Sequence, residues 1–120
     1  MSQADKRCVL LVDNDEDALK LYGDMLAEYE YNVLVARDGQ EALQLFLEHH
    51  PHVVVTDVHM PEMNGEELFH QIMAVAPDTK VIFITGWSDI AAATRLVKSG
   101  AFDYLDKPVS LIHLVGVIKN

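Results

Sequence analysis

The chain has 120 residues, half of them apolar, with 19 acidic side chains against 9 basic ones and a formal charge of -10. That is enough apolar chain for one domain over residues 1–120, with an ordered core over about 7–119, and it argues against a disordered chain. The acidic balance argues against direct binding to nucleic acid, which needs a cationic surface to displace phosphate counterions.

Cys8 is the only cysteine, so no intramolecular disulfide can form. The start, Met1-Ser2-Gln3-Ala4-Asp5-Lys6-Arg7, lacks the apolar segment of a signal peptide. No stretch approaches the ~18 apolar residues of a membrane helix. A soluble, cytoplasmic domain without membrane contact is expected.

Strand and helix patterns then alternate to the end. Cys8 to Val12 is a short apolar run, followed by Asp13-Asn14-Asp15-Glu16-Asp17. A helical pattern reaches about Tyr29, with Ala18, Leu19, Tyr22, Met25 and Leu26 on one face. Asn32 to Ala36 reads as a second strand. Asp38-Gly39 turns into a helix that carries Ala42, Leu43, Phe46 and Leu47 and stops before Pro51. The β-branched run from His52 predicts a third strand ending at Asp57, where the chain enters the loop Val58-His59-Met60-Pro61-Glu62-Met63-Asn64. A helix over Gly65–Val75 places Leu68, Ile72 and Val75 inward, and Pro77-Asp78 ends it. Lys80–Thr85 is the fourth strand, and Ser88–Lys98 is a helix stopped by Ser99-Gly100. Phe102–Leu105 is a short fifth strand, which leads through Asp106-Lys107-Pro108 to a last helix from Ser110.

Five such βα repeats predict an α/β fold, a doubly wound parallel sheet with helices on both faces. Buried parallel strands are near-continuously apolar, as Val9–Val12 and Val81–Ile84 are. In a parallel sheet the strand ends share one edge, and ligands bind at the carboxyl edge. Asp13 with Asn14 and Asp15, then Asp57, Thr85 and Lys107, converge there from separate segments. Clustered carboxylates repel one another unless a cation joins them. Mg²⁺ (or Mn²⁺) fits, because it takes oxygen ligands and bridges carboxylates to phosphate. Lys107 can pair with a phosphoryl oxygen and the Thr85 hydroxyl can donate to another. An aspartate beside such cations is a nucleophile for a phosphoryl group.

Over essentially its whole length the chain resembles the receiver domains of two-component response regulators. The resemblance rests on Val9-Leu10-Leu11-Val12-Asp13-Asn14-Asp15, Asp57 through Gly65, Ile84-Thr85-Gly86 and Gly100 through Pro108. It implies five strands in the flavodoxin-like order 2-1-3-4-5. It also implies that Asp57 accepts a phosphoryl group from a histidine kinase or phosphotransfer protein. Asp13, Asn14, Asp57 and the backbone carbonyl of His59 would hold Mg²⁺, while Thr85 and Lys107 would bind phosphoryl oxygens. Thr85 and Tyr104 would then move, reshaping the face of helix four, strand five and helix five for an output domain or effector protein. The implied role is a switch with self-phosphorylation and slow autodephosphorylation, not a turnover enzyme. The Lys107-Pro108 bond is expected to be cis.

The family usually has two acids at the end of the first strand. Here the second position is Asn14, whose amide can ligate but brings no charge, so weaker Mg²⁺ binding is expected. His59 and Trp87, two residues beyond Asp57 and Thr85, occupy positions that tune hydrolysis in the family. Trp87 can cover the phosphoryl group and His59 can orient a water, and the balance favours a long-lived phosphoryl state. The alternative function is a degenerate receiver, a phosphorylation-independent interaction module, which Asn14 supports and Asp57, Thr85 and Lys107 oppose.

Other features have plainer readings. His49, His50 and His52 bracket Pro51 without an acid or cysteine to complete a metal set, so a solvated loop is expected. Cys8, Met60 and Met63 read as packing. In helix five, Leu111, Leu114, Val115 and Ile118 form the inward stripe, leaving Ile112 and Val117 outside it. With the smooth run Ala91-Ala92-Ala93 in helix four, they suggest a homodimer or output-domain interface.

Overall fold

The near-continuous apolar runs become the strands of one sheet, and the amphipathic segments between them become helices. The computed structural model describes residues 7–60, 63–85, 90–107 and 109–119, with Thr85, Ile90, Ala93 and Leu111 described by their backbone alone. In chain order the elements are β1 (Cys8–Val12), α1 (Glu16–Glu28), β2 (Asn32–Ala36), α2 (Gly39–His49), β3 (Val53–Asp57), α3 (Gly65–Val75), β4 (Lys80–Thr85), α4 (Ile90–Lys98), β5 (Asp103–Asp106) and α5 (Leu111–Lys119). The strands form one sheet in the order β2-β1-β3-β4-β5. Every neighbouring pair is parallel. The doubly wound expectation and its strand order are both correct.

Alternation along each strand divides its residues between two cores. Val9 and Leu11 of β1 join Val53 and Val55 of β3, Ile82 and Ile84 of β4, and Leu105 of β5 beneath α1 and α5. Leu10, Val12, Val54, Val81 and Phe83 point the other way, against Phe46 of α2, Leu68, Phe69 and Ile72 of α3, and Leu96 of α4. Central β3 is buried along its whole length, whereas edge strand β2 is mostly half-buried. The register places Val12 beside both Ala36 and Thr56, and Asp57 beside Ile84. The carboxyl ends of β1, β3 and β4 therefore finish at one level.

Several expectations need correction at the margins. The fifth strand runs Asp103–Asp106, because the ladder pairs Asp103 with Ile82 and leaves Phe102 just outside it. Phe102 is partly exposed, and the Lys80 ammonium lies 4.8 Å from its ring centroid. Leu47 and Val75 are 49% and 60% exposed, so neither belongs to the core. Val117 is a more consequential error. It is buried in the α1/α5 core with Leu114, Val115 and Ile118, which widens the α5 stripe and removes Val117 from any interface. Ile112, in contrast, is 80% exposed. Residues 1–6, 61–62, 86–89, 108 and 120 lie outside the described residues, and with them the expectations for Gly86, Trp87 and the Lys107-Pro108 bond. Among the described residues, no helix is long and apolar enough to cross a membrane.

Candidate functional site

β1 delivers Asp13 to the carboxyl edge as the residue directly after its buried end, and the Asp13 amide donates to the Ala36 carbonyl at 3.1 Å. β3 delivers Asp57 as its last residue. Both aspartates are buried, and they share one cation. Lys107 Nζ lies 2.6 Å from Asp57 Oδ2 and 3.2 Å from Asp13 Oδ2. Three segments spread over the whole chain thus meet at one ammonium.

The remaining carboxylate oxygens are also engaged. Asp57 Oδ1 accepts from the His59 amide at 3.1 Å, and Asp13 Oδ1 accepts from the Asp15 amide at 3.0 Å. These short-range bonds fix the orientation of both acids. Burial works against the charge on Lys107. Its hydrogen bond and charge attraction to Asp57, reinforced by Asp13, outweigh that and raise its pKa.

The loop after β3 returns tightly into α3. Gly65 N donates to the Val58 carbonyl at 2.9 Å. A Cβ on Gly65 would collide with the Asp57 carbonyl oxygen, a main-chain atom that cannot rotate away. Asn64 caps α3 by accepting from the Glu67 amide at 2.9 Å. Under the site, the fully buried Thr56 hydroxyl donates to the Asp57 carbonyl at 3.0 Å.

The other expected residues fall as follows. Asn14 is exposed beside Asp13. Asp15 is occupied elsewhere, capping α1 by accepting from the Asp17 and Ala18 amides at 3.0 and 3.4 Å. Thr85 ends β4 opposite Asp106, at the site edge one position past the Ile84 that pairs with Asp57. Tyr104 is half-buried on the α2–α4 side of the sheet. His59 is exposed, and its amide donates to Asp57. His50 caps α2 in a left-handed conformation, and His49 lies 3.8 Å from Glu48. Met60 and Met63 pack on the α2–α4 core. Burial raises the pKa of the half-buried Cys8 thiol.

Sequence reasoning missed the anchoring of the segment beyond Lys107: the Tyr22 hydroxyl of α1 accepts from the Val109 amide at 3.2 Å. Helical periodicity marked Tyr22 as inward-facing but carried no signal of what its hydroxyl reaches.

The donor set suits a hard divalent cation. Asp13 and Asp57 offer only oxygen, and together they bring one more negative charge than Lys107 balances. Among the described residues, no three His, Cys, Asp or Glu side chains gather closely enough to hold a metal by themselves. Two carboxylates are a number that Mg²⁺ commonly takes from protein, completing its shell with water and phosphate.

The response regulator receiver domain family matches residues 9–119. The chain belongs to that family. Over 112 residues it is 32% identical to the regulatory protein AtoC of Escherichia coli (strain K12), covering 93% of this chain and 24% of AtoC. Over 115 residues it is 40% identical to the sensor kinase CckA of Brucella abortus (strain 2308), covering 93% of this chain and 12% of CckA. This receiver thus spans about a quarter or less of such relatives. Among solved structures, a response regulator receiver domain protein from Clostridium thermocellum superposes with a TM-score of 0.92 at 33% identity, covering 95% of this chain and 92% of that one.

Proposed function

We propose that this receiver accepts a phosphoryl group on Asp57, in a Mg²⁺-dependent reaction, from a histidine kinase or phosphotransfer protein. The observation that carries the reading is the Lys107 ammonium held between Asp57 and Asp13 at the carboxyl edge of the sheet. A carboxylate oxygen of Asp57 forms the new O–P bond as the N–P bond of the donor phosphohistidine breaks, and the departing imidazole keeps the bond's electron pair and takes a proton from solvent. The His59 amide and the Lys107 ammonium orient the nucleophile, and Lys107 then follows the charge to a phosphoryl oxygen. Thr85 is the proposed second phosphoryl contact. Asp13, Asn14, Asp57 and the His59 carbonyl are the proposed Mg²⁺ ligands, and the ion supplies charge neutralisation between carboxylate and phosphate. The output proceeds through Thr85, Tyr104 and the α4/β5/α5 face to a partner domain or effector, with His59 and Trp87 setting the lifetime. The domain is proposed to occupy residues 1–120 as one unit.

Incubation with acetyl phosphate, with and without Mg²⁺, tests this by intact mass. A Mg²⁺-dependent gain of one phosphoryl group, absent in Asp57→Asn, is expected. Failure to gain it from either acetyl phosphate or a phosphorylated histidine donor would favour the phosphate-independent module, for which Asn14 is the supporting feature.

A further inference from the structure

Lys107 comes from the segment between β5 and α5, and its position depends on how that segment is tied down. On one side the tie is the ladder, where Asp106 pairs with Thr85. On the other side Pro108 has no N–H to donate. The first amide donor past Lys107 is therefore that of Val109, and it reaches the Tyr22 hydroxyl on α1 at 3.2 Å. The Val109 side chain is buried in the α1/α5 core, and the body of Tyr22 packs against that same core. The phenol ring thus has a packing role, while its oxygen supplies the segment with a hydrogen bond that ring packing does not need.

We infer that Tyr22 is a positioning residue for Lys107: its hydroxyl fixes Val109 and so holds the ammonium over Asp57. The inference rests on the proposed phosphoryl transfer. Removing the oxygen leaves the Val109 amide without this acceptor and lets the stem of Lys107 wander, while the ring still fills its place. Positioning lost at one hydrogen bond corresponds to about a three- to tenfold slower reaction.

The test is a double-mutant cycle on the rate of phosphorylation by acetyl phosphate, with wild type, Tyr22→Phe, Lys107→Ala and the double variant, and Asp57→Asn as the blank. Amide spectra of wild type and Tyr22→Phe accompany it. The expected result is a slower Tyr22→Phe, a shifted Val109 amide resonance, and no further slowing by Tyr22→Phe once Lys107 is alanine. Equal rates for wild type and Tyr22→Phe would overturn the inference, as would equal slowing in both lysine and alanine backgrounds, which marks a merely structural role. If wild type gains no phosphoryl group from acetyl phosphate or from a phosphorylated histidine donor, the underlying functional reading fails and the inference falls with it. Should Tyr22→Phe prove poorly folded, Tyr22→Trp keeps a large ring without the hydroxyl and must give the same pattern.

Discussion

At Asp57 the two carboxylate oxygens have different partners, a main-chain amide on Oδ1 and the Lys107 ammonium on Oδ2. The amide is fixed by the turn, whereas the ammonium sits on a flexible stem and can follow charge to a new position. Under the proposed transfer Lys107 therefore matters to both reactivity and charge balance. Because its pKa is raised in the fold, its contribution to stability is complete below the ordinary lysine value of about 10.4 and is lost as pH rises through the higher folded value. Urea midpoints taken from about pH 8 to about pH 11 should fall by this route in wild type and not in Lys107→Ala. A parallel fall in both would assign the alkaline loss to other groups. The metal side of the site turns on neighbours in sequence. Asn14→Asp is expected to tighten Mg²⁺ several-fold by adding charge where the family pattern carries an acid. Asp15→Ala instead removes the α1 cap, costing about 1 kcal/mol of stability. It should leave the Mg²⁺ titration far less changed, and a large loss of affinity there would make Asp15 a ligand.

At the scale of elements, the connection from β3 to α3 sets how the acid is presented. Gly65 allows the start of α3 to pass directly over the Asp57 carbonyl. Alanine there gains at most about 1 kcal/mol of helix propensity. Its Cβ meets main chain, so the loop or helix must shift, and overpacking of that kind costs about 1–3 kcal/mol. The clash wins, so Gly65→Ala should lower the urea midpoint and slow phosphorylation together. An unchanged midpoint would mean that the connection is looser than its geometry implies. Strand and helix identities were readable because buried parallel strands are apolar on both faces, as in Leu10-Leu11, where consecutive residues serve opposite cores. Helix faces were less readable at their ends. Spacing alone put Val75 inward, but a side chain on the last turn can overhang the sheet. The reverse happened at Val117, since α5 is covered by α1 as well as by the sheet and buries a wider stripe than one-sided packing requires. Asp13, Asp57 and Lys107 were legible as strand-end residues, while the Tyr22 to Val109 bond depends on a tertiary approach that no local pattern encodes.

For the whole molecule, β5 belongs both to the sheet that carries the candidate site and to the proposed output face. Tyr104 lies on the α2–α4 side of β5, while Leu105 beside it joins the opposite core, so β5 connects the Lys107 segment to both layers. On α5, Ile112 is 80% exposed and contributes little to the monomer's own core. Ile112→Glu should change monomer stability by less than about 0.5 kcal/mol. It should also weaken any association of the phosphorylated form through the α4/β5/α5 face, read by sedimentation. Association unaffected by the charge would place the contact elsewhere. Asp57 is the one carboxylate proposed to receive the phosphoryl group. Borohydride reduces an acyl phosphate to an alcohol and leaves free carboxylates intact, so phosphorylated protein treated with it should carry homoserine at position 57 in peptide sequencing by mass. Aspartate retained at 57 in protein that has gained a phosphoryl group, with the modification at any other residue, would rule out Asp57 as the acceptor.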